Sequence, residues 1–465
     1  MVQSHGGTGN ELRQRNVDAS AKPLTTTDEG RKVDQLLDEH QTYEFGGPAG
    51  VTAMMVGFPM LMYYLWICLW FYDGKLVYPA SSEDIVPFLG RMWAHIRDDA
   101  SPNAYAWKVY TGLVVYQLFL ALVMPGYKQE GLPVPSLGYK TLMYNCNALY
   151  SLYATMLTAA ALHYYHIFRL TEIIDNYGHI MSVAMIYGFA VSFGMYFITV
   201  AAGNEIRMSG NLIYDVFMGA CLNPRIGSVD LKMWAEVRIP WVIVSSWPCP
   251  EVATSMKQYG YNMAFMILAT WLYLNACAKG EECIPQTWDM YHEKWGFMVI
   301  FWNFAGVPFT YVYSVVYMAS HHPSNYQFST PTYVILFVIL LTAYCMYDFT
   351  IFASKCKTQG ITTFRNTFPQ LPGGTLKNPE FIQTAHGNRL LISGWWRYSR
   401  KPNYVADWTM SFCWGAVIGI LIHRCGRDFE RCSIKYGKDW EHYCSVVKYK
   451  FIPGSTNLAS FHVNA

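Results

Sequence analysis

Apolar residues come along this chain in runs close to the ~20 that a bilayer core demands, separated by shorter polar stretches. The runs are Gly50–Tyr72, Trp107–Met124, Thr141–His163, Ile180–Ala201, Tyr261–Cys277, Gly296–Met318 and Pro331–Phe352. A shorter one, Met233–Trp247, is interrupted by Glu236, Arg238 and Pro240 and predicts a tilted, broken or re-entrant segment. Trp and Tyr gather at the ends of several runs, as interfacial anchors do. Residues 1–49 are polar and predict a cytosolic tail. The first apolar run, from about Gly50, is too long for a signal peptide. The pattern predicts an all-α polytopic transmembrane helix bundle of about 8–10 spans, with a C-terminal pocket facing the cytosol. The expected division is a tail at 1–49, the bundle at 50–352, a C-terminal binding region at 353–453 and a short tail at 454–465.

Composition removes the rival classes. Only 14% of the 465 residues are Asp, Glu, Lys or Arg, against roughly 25% in soluble domains. A chain that is 52% hydrophobic and 17% aromatic is neither a single soluble globule nor disordered. A net charge of +2 gives no case for nucleic acid. The 12 cysteines are scattered without CxxC pairing, which argues against a zinc module or disulfide framework. Lysines and arginines crowd the end of the chain, from Lys355 to Lys401 and again from Arg424 to Lys450. By the positive-inside rule this third faces the cytosol, and eight preceding spans put the N-terminus on the same side.

The C-terminal third also holds the candidate chemistry. Leu390–Trp408 and Arg427–Cys444 mix aromatics, cations and amides at the edges of apolar runs. Arg and Lys bind phosphates through charge-assisted hydrogen bonds, and Trp and Tyr offer flat faces to a ring. The mixture suits an anionic, ring-bearing cofactor such as NADPH, and equally an interfacial aromatic-and-basic belt. No GxGxxG follows a strand and no GxxxxGK[ST] is present, so neither a Rossmann domain nor a P-loop would hold a nucleotide. His163 and His166 resemble a metal pair, but further ligands are missing nearby and a polar helix cap is the plainer reading. A transporter would show paired charges in mid-chain spans and pseudo-symmetric halves, and neither is visible in the sequence.

These two blocks resemble the C-terminal signatures of the membrane sterol reductase family, which includes Δ14-, Δ7- and C-24(28)-sterol reductases. Leu222-Asn223-Pro224-Arg225-Ile226-Gly227 is similar to that family's central motif. Tyr43-Glu44-Phe45-Gly46-Gly47-Pro48, Gly57-Phe58-Pro59, Tyr63–Cys68, Asp73-Gly74-Lys75 and Trp396–Lys401 look like its fungal delta(24(24(1))) branch. The likeness runs from about residue 43 to 453. It implies NADPH as cofactor, a sterol as substrate, membrane lipid as surroundings and the endoplasmic reticulum as location. By motif position it implies cofactor binding by Arg365, Leu391, Trp396, Asn403, Tyr404, Asp428, Cys432, Ser433, Ile434, Lys435, Tyr436 and Tyr443. The implied reaction saturates a side-chain C24(28) double bond by protonation and hydride transfer. The alternatives are a Δ14- or Δ7-reductase and a non-catalytic sterol-binding membrane protein.

An isolated alkene needs an acid before it accepts hydride. Glu205, Asp215, Asp348, Asp407 and Asp428 lie near apolar runs, and Tyr214 and Tyr404 are alternatives. Tyr404 and Asp407 sit inside the signature and are the choices for the catalytic role, with a hydrogen-bonded structural anchor as the plain alternative for each. Three positions depart from the family. Cys221 stands where a Glu is usual. Ile361 occupies the place of a Lys four residues before Arg365. Only Thr409–Ile422 separates the two blocks, where the family uses two membrane passes. About 14 residues give roughly 21 Å of helix, short of a ~30 Å core. This segment therefore dips in and returns, or the chain lacks a piece.

Overall fold

The structure, a computed structural model, describes residues 32, 43–72, 74–246, 256–313, 315–316, 330–359, 379–384, 389–414 and 437–446. The chain divides into two compact units. One is His40–Val338 with Trp414–Ala416, and the described part of the other lies at residue 32 and within residues 339–413 and 437–446. The fold is mostly helical, as the apolar runs predict. Among the described residues, Gly47–Phe71, Ala104–Val123, Tyr177–Ala201 and Thr330–Ile351 are long and apolar enough to cross a membrane. Helices Ala148–Tyr164, Leu231–Ser246 and Met256–Lys279 add further apolar length. The chain is a multi-pass membrane protein.

Three expected runs take a different form. The run beginning at Thr141 starts as a strand, Met143–Cys146, paired antiparallel with Tyr127–Glu130, and becomes helical only at Ala148. Hydropathy alone cannot separate a buried strand from the first turns of a helix. The segment around Met233 is a continuous helix, Leu231–Ser246, with Pro240 inside it. The run from Gly296 is α-helical over Phe297–Phe301, widens to a π-turn over Trp302–Gly306, and resumes as α-helix over Val307–Thr310. Pro308 accounts for the widening, because it has no N–H to give to Phe304. The Val307 N–H reaches back five residues to the Trp302 carbonyl. The freed Phe304 carbonyl accepts the Tyr110 hydroxyl at 2.6 Å.

Between helices in lipid, close packing rather than removal from water provides the attraction. Trp66, Tyr177, Phe217, Phe297 and Phe301 are each fully buried in one core. Gly188 lets Phe301 approach so closely that a Cβ there would lie 2.9 Å from the ring. At one end of this unit Phe71, the last residue of its helix, meets His95, and Trp70 meets Tyr177, the first residue of another helix. At the other end a polar cap is built from two hairpins, Tyr127–Cys146 and Arg225–Asp230, and the 3-10 segment Gly280–Gln286. Gly219, at φ +95°, stands so close to Gly296 that a Cβ on Gly296 would fall 2.2 Å from the Gly219 nitrogen. Two backbones touch there, and only glycine fits.

The C-terminal unit contains a short antiparallel hairpin, Phe381–Gln383 with Arg389–Leu391. A 3-10 turn, Gly394–Arg397, and helices Pro402–Trp414 and Lys438–Val446 accompany it. Pro402 opens its helix at the position where a missing N–H does no harm.

Candidate functional site

Successive residues of a strand point to opposite faces, and the hairpin of the C-terminal unit uses this. Leu390 packs with Ile382, Trp440 and Tyr443, while Leu391 packs with Trp396. One dipeptide step thus places part of the first sequence block on one side and part of the second on the other. Trp396 and Tyr443 are both buried, and Tyr443 is stacked on Trp440 with centroids 5.1 Å apart. Both rings therefore serve as packing surfaces here. The helix that follows carries Asn403, Tyr404 and Asp407, with Asn403 and Asp407 one turn apart on the same side. The Lys401 ammonium lies 5.4 Å from the Tyr404 ring centre. The Asn403 side-chain carbonyl and the Trp408 indole N–H are buried with no hydrogen-bond partner among the described residues. Burying such groups unpaired is unfavourable, so the Asn403 carbonyl, on the same side as Asp407, fits a polar ligand. Arg365, Asp428, Cys432, Ser433, Ile434, Lys435 and Tyr436 lie outside the described residues.

The polar cap of the larger unit holds charges that the sequence pattern did not connect. Asn223 donates to Asp230 at 3.2 Å, to the Met290 carbonyl at 3.1 Å and to the Tyr144 hydroxyl at 3.3 Å. Arg225 donates to the Met143 carbonyl at 2.8 Å and lies over the Tyr144 ring, 4.6 Å from its centre. The central motif therefore ties the two hairpins together. Burial raises the Asp230 carboxyl above its ordinary range, against the pull of Lys232. Arg238 and Glu281 form a buried ion pair at 3.0 Å, with side chains 4% and 1% exposed. Arg238 also bonds Asn147, and Glu281 accepts the Ala148 N–H at 2.6 Å. No spacing rule links positions so far apart, which is why this pair escaped the sequence reading.

Asp215 and Tyr214 make structural hydrogen bonds to backbone. Asp215 accepts the backbone N–H groups of Ser209 and Gly210 at 2.8 and 3.1 Å. The Tyr214 hydroxyl accepts the Glu44 N–H at 2.9 Å. Glu205 is exposed, and Asp348 is buried on the Thr330–Gln359 helix. His163 accepts the Leu170 N–H at 3.3 Å, the act of a polar cap. Among the described residues no group of His, Cys, Asp and Glu could hold a metal ion. Cys221 is a partly buried thiol whose pKa is raised by burial, and its carbonyl accepts the Trp295 N–H at 2.8 Å.

Lys294 donates to the Arg207 carbonyl at 2.7 Å. Burial, and then the nearby Arg207 charge, pull its amine down to about 8. An unfolded lysine stays charged to about 10.4. The folded state therefore disfavours the charge, fully below pH 8 and less as the pH rises toward 10.4. The expected result is that melting temperature, compared with Lys294→Met, improves for the native chain between pH 8 and 10. A pH-independent difference between the two proteins would contradict it.

A bundle of apolar spans with a polar cap, joined in sequence to a C-terminal unit rich in aromatics and amides, defines a multi-pass membrane protein. Residues 39–455 match the ergosterol biosynthesis ERG4/ERG24 family, and the chain belongs to it. It is 39% identical to the delta(24(24(1)))-sterol reductase erg4A of Aspergillus fumigatus, over 89% of this chain and 92% of the relative. It is 40% identical to the delta(24(24(1)))-sterol reductase of Gibberella zeae, over 90% of this chain and 74% of that protein. A delta(14)-sterol reductase of Dictyostelium discoideum is 31% identical over 91% of the chain and 94% of the relative.

Proposed function

We propose that this protein is an NADPH-dependent delta(24(24(1)))-sterol reductase of the endoplasmic reticulum membrane. The observation that carries the reading is the near-full-length likeness to two such enzymes at 39% and 40% identity, above the 31% to a delta(14)-sterol reductase. The substrate is a late ergosterol precursor with a 24(28)-methylene group. Protonation of the terminal CH2 leaves positive charge on the tertiary C24, and transfer of hydride to C24 completes saturation. NADPH, when bound, supplies that hydride. Leu391, Trp396, Asn403, Tyr404 and Tyr443, with Arg365, Asp428, Cys432, Ser433, Ile434, Lys435 and Tyr436, would hold it. The unpaired Asn403 carbonyl suits an amide or ribose hydroxyl, and Arg365 and Lys435 suit phosphate.

Tyr404 or Asp407 gives the proton. The Lys401 ammonium beside Tyr404 stabilises the negative charge left on the phenol. Apolar helices around the sterol keep water from trapping the cation. Sterol profiling tests the reading, in fungal cells that lack their own C24(28) reductase and express this chain. The 24(28)-methylene sterol should fall and its saturated product appear. Relief of the block in parallel cells that lack their Δ14-sterol reductase, instead of this one, would assign the chain to the other branch. Relief of neither, with the protein present in the membrane, would contradict the reading.

A further inference from the structure

Residues 85–99 form a helix, Ile85–Asp99, between two membrane spans. Its sequence does not suit a span, since Arg91, Arg97, Asp98 and Asp99 lie within fifteen residues. It is nonetheless strongly apolar on one side. Ile85, Val86, Leu89 and Trp93 fall within one arc of about 100° on the helix wheel. They are 46%, 77%, 57% and 63% exposed. Met92 is buried on the adjoining arc and Phe88 packs against the core there, while Ile96, three turns after Ile85 on the open arc, is half-buried against the core, so the open strip runs from Ile85 to Trp93. The helix therefore has one apolar strip against the protein and a second strip that none of the described residues covers.

What covers it follows from where it sits. Phe71, the last residue of the first span, stacks on His95 with ring centroids 3.9 Å apart. The Asp99 carbonyl lies against Gly178 at the start of another span, where a Cβ would come within 2.6 Å. Five residues after Asp99 the next span begins at Ala104. The helix thus lies at the level where three spans meet the membrane surface. Tyr78 and Leu76, in the preceding connection, are 81% and 63% exposed.

We propose that Ile85–Asp99 lies in the plane of the bilayer interface, with Ile85, Val86, Leu89 and Trp93 sunk into the acyl boundary of the leaflet opposite the polar cap. Its partner is zwitterionic lipid. Residues 82–99 carry Glu83, Asp84, Asp98 and Asp99 against Arg91 and Arg97, a net charge of −2 with His neutral. Both arginines are already occupied. Arg91 makes three hydrogen bonds to Asp84 at 3.1 Å, and Arg97 holds Asp98 at 2.7 Å. Interfacial helices that seek anionic headgroups keep a surplus of free cations on the polar face, and this one has none. Anchoring comes from apolar insertion alone.

The test uses the full chain in phosphatidylcholine nanodiscs, with nitroxides attached at V86C, L89C, W93C and D98C. Position 98 is nine residues from 89, half a turn round the helix. Native cysteines are accounted for by the unsubstituted chain labelled in parallel. Collisions with oxygen should exceed those with a water-soluble nickel chelate at 86, 89 and 93, and the order should reverse at 98. Adding anionic lipid should leave all four unchanged. Nickel access at 86 and 93 equal to that at 98 would overturn the proposal. So would shielding from both reagents, which would mean a protein surface covers the strip, or a shift toward the bilayer on adding anionic lipid.

Discussion

Arg238→Met should destabilise the protein by about 3–5 kcal/mol, the usual cost of leaving a buried charge without its partner. Arg238 and Glu281 are almost completely buried and 3.0 Å apart. Glu281 also receives the first N–H of the Ala148–Tyr164 helix, so one carboxylate binds the start of that helix to the Leu231–Ser246 helix. Burial already raises the Glu281 carboxyl, with Arg238 as the largest opposing influence. Removing Arg238 raises it further. An acid whose folded pKa exceeds its unfolded value stabilises most at low pH, and that contribution is lost as pH rises through the folded value. Arg238→Met should therefore melt closer to the native chain at pH 5 than at pH 8. Arg238→Met with Glu281→Gln should recover most of the loss at pH 8, since the amide oxygen still accepts the Ala148 N–H. Thermal unfolding of the three proteins in one detergent decides it. A single substitution that melts like the native chain would show that the pair is not formed.

Tyr404→Phe and Asp407→Asn separate the proton donor from its neighbour. Loss of a general acid lowers turnover by about 10²- to 10⁴-fold. One of the two substitutions should do this while NADPH affinity stays unchanged. Asn403→Leu should behave in the opposite way. It removes a buried carbonyl that has no partner, so as a packing change it is neutral or stabilising. If Asn403 meets the cofactor, the same change leaves a ligand donor unpaired, at about 1–3 kcal/mol, or roughly 5- to 150-fold in affinity. Melting temperature and NADPH affinity should then move apart. If all three variants turn over normally, this helix is not part of the reaction.

Much of the bundle was legible because hydropathy reads length, and length is what a bilayer selects. The first, second and fourth runs became helices within a few residues of where the pattern put them. The third failed at its start. Met143–Cys146 is apolar enough to pass for helix, and its strand form depends on pairing with Tyr127–Glu130, which no local pattern reveals. Arg238 and Pro240 suggested a broken segment. Yet Arg238 finds Glu281 and Asn147 in space, and with the charge satisfied the helix runs on. The π-turn at Trp302–Gly306 was readable in principle from Pro308, one turn after Phe304. At the candidate site, the motifs named Leu391, Trp396 and Tyr443. Their division between two faces of one hairpin needed the register of Leu390 and Leu391. The amphipathic helix at Ile85–Asp99 was missed because a search for spans passes over short helices with several charges.

The most direct test is a titration of the purified full chain in nanodiscs with NADPH and with NADH, read by energy transfer from tryptophan to the reduced nicotinamide. The account predicts saturable binding of NADPH, with NADH roughly 10- to 150-fold weaker. That ratio is what charge-assisted hydrogen bonds of about 1.5–3 kcal/mol to the extra phosphate would give. Absence of a saturable signal with NADPH, or equal affinity for the two dinucleotides, would contradict it.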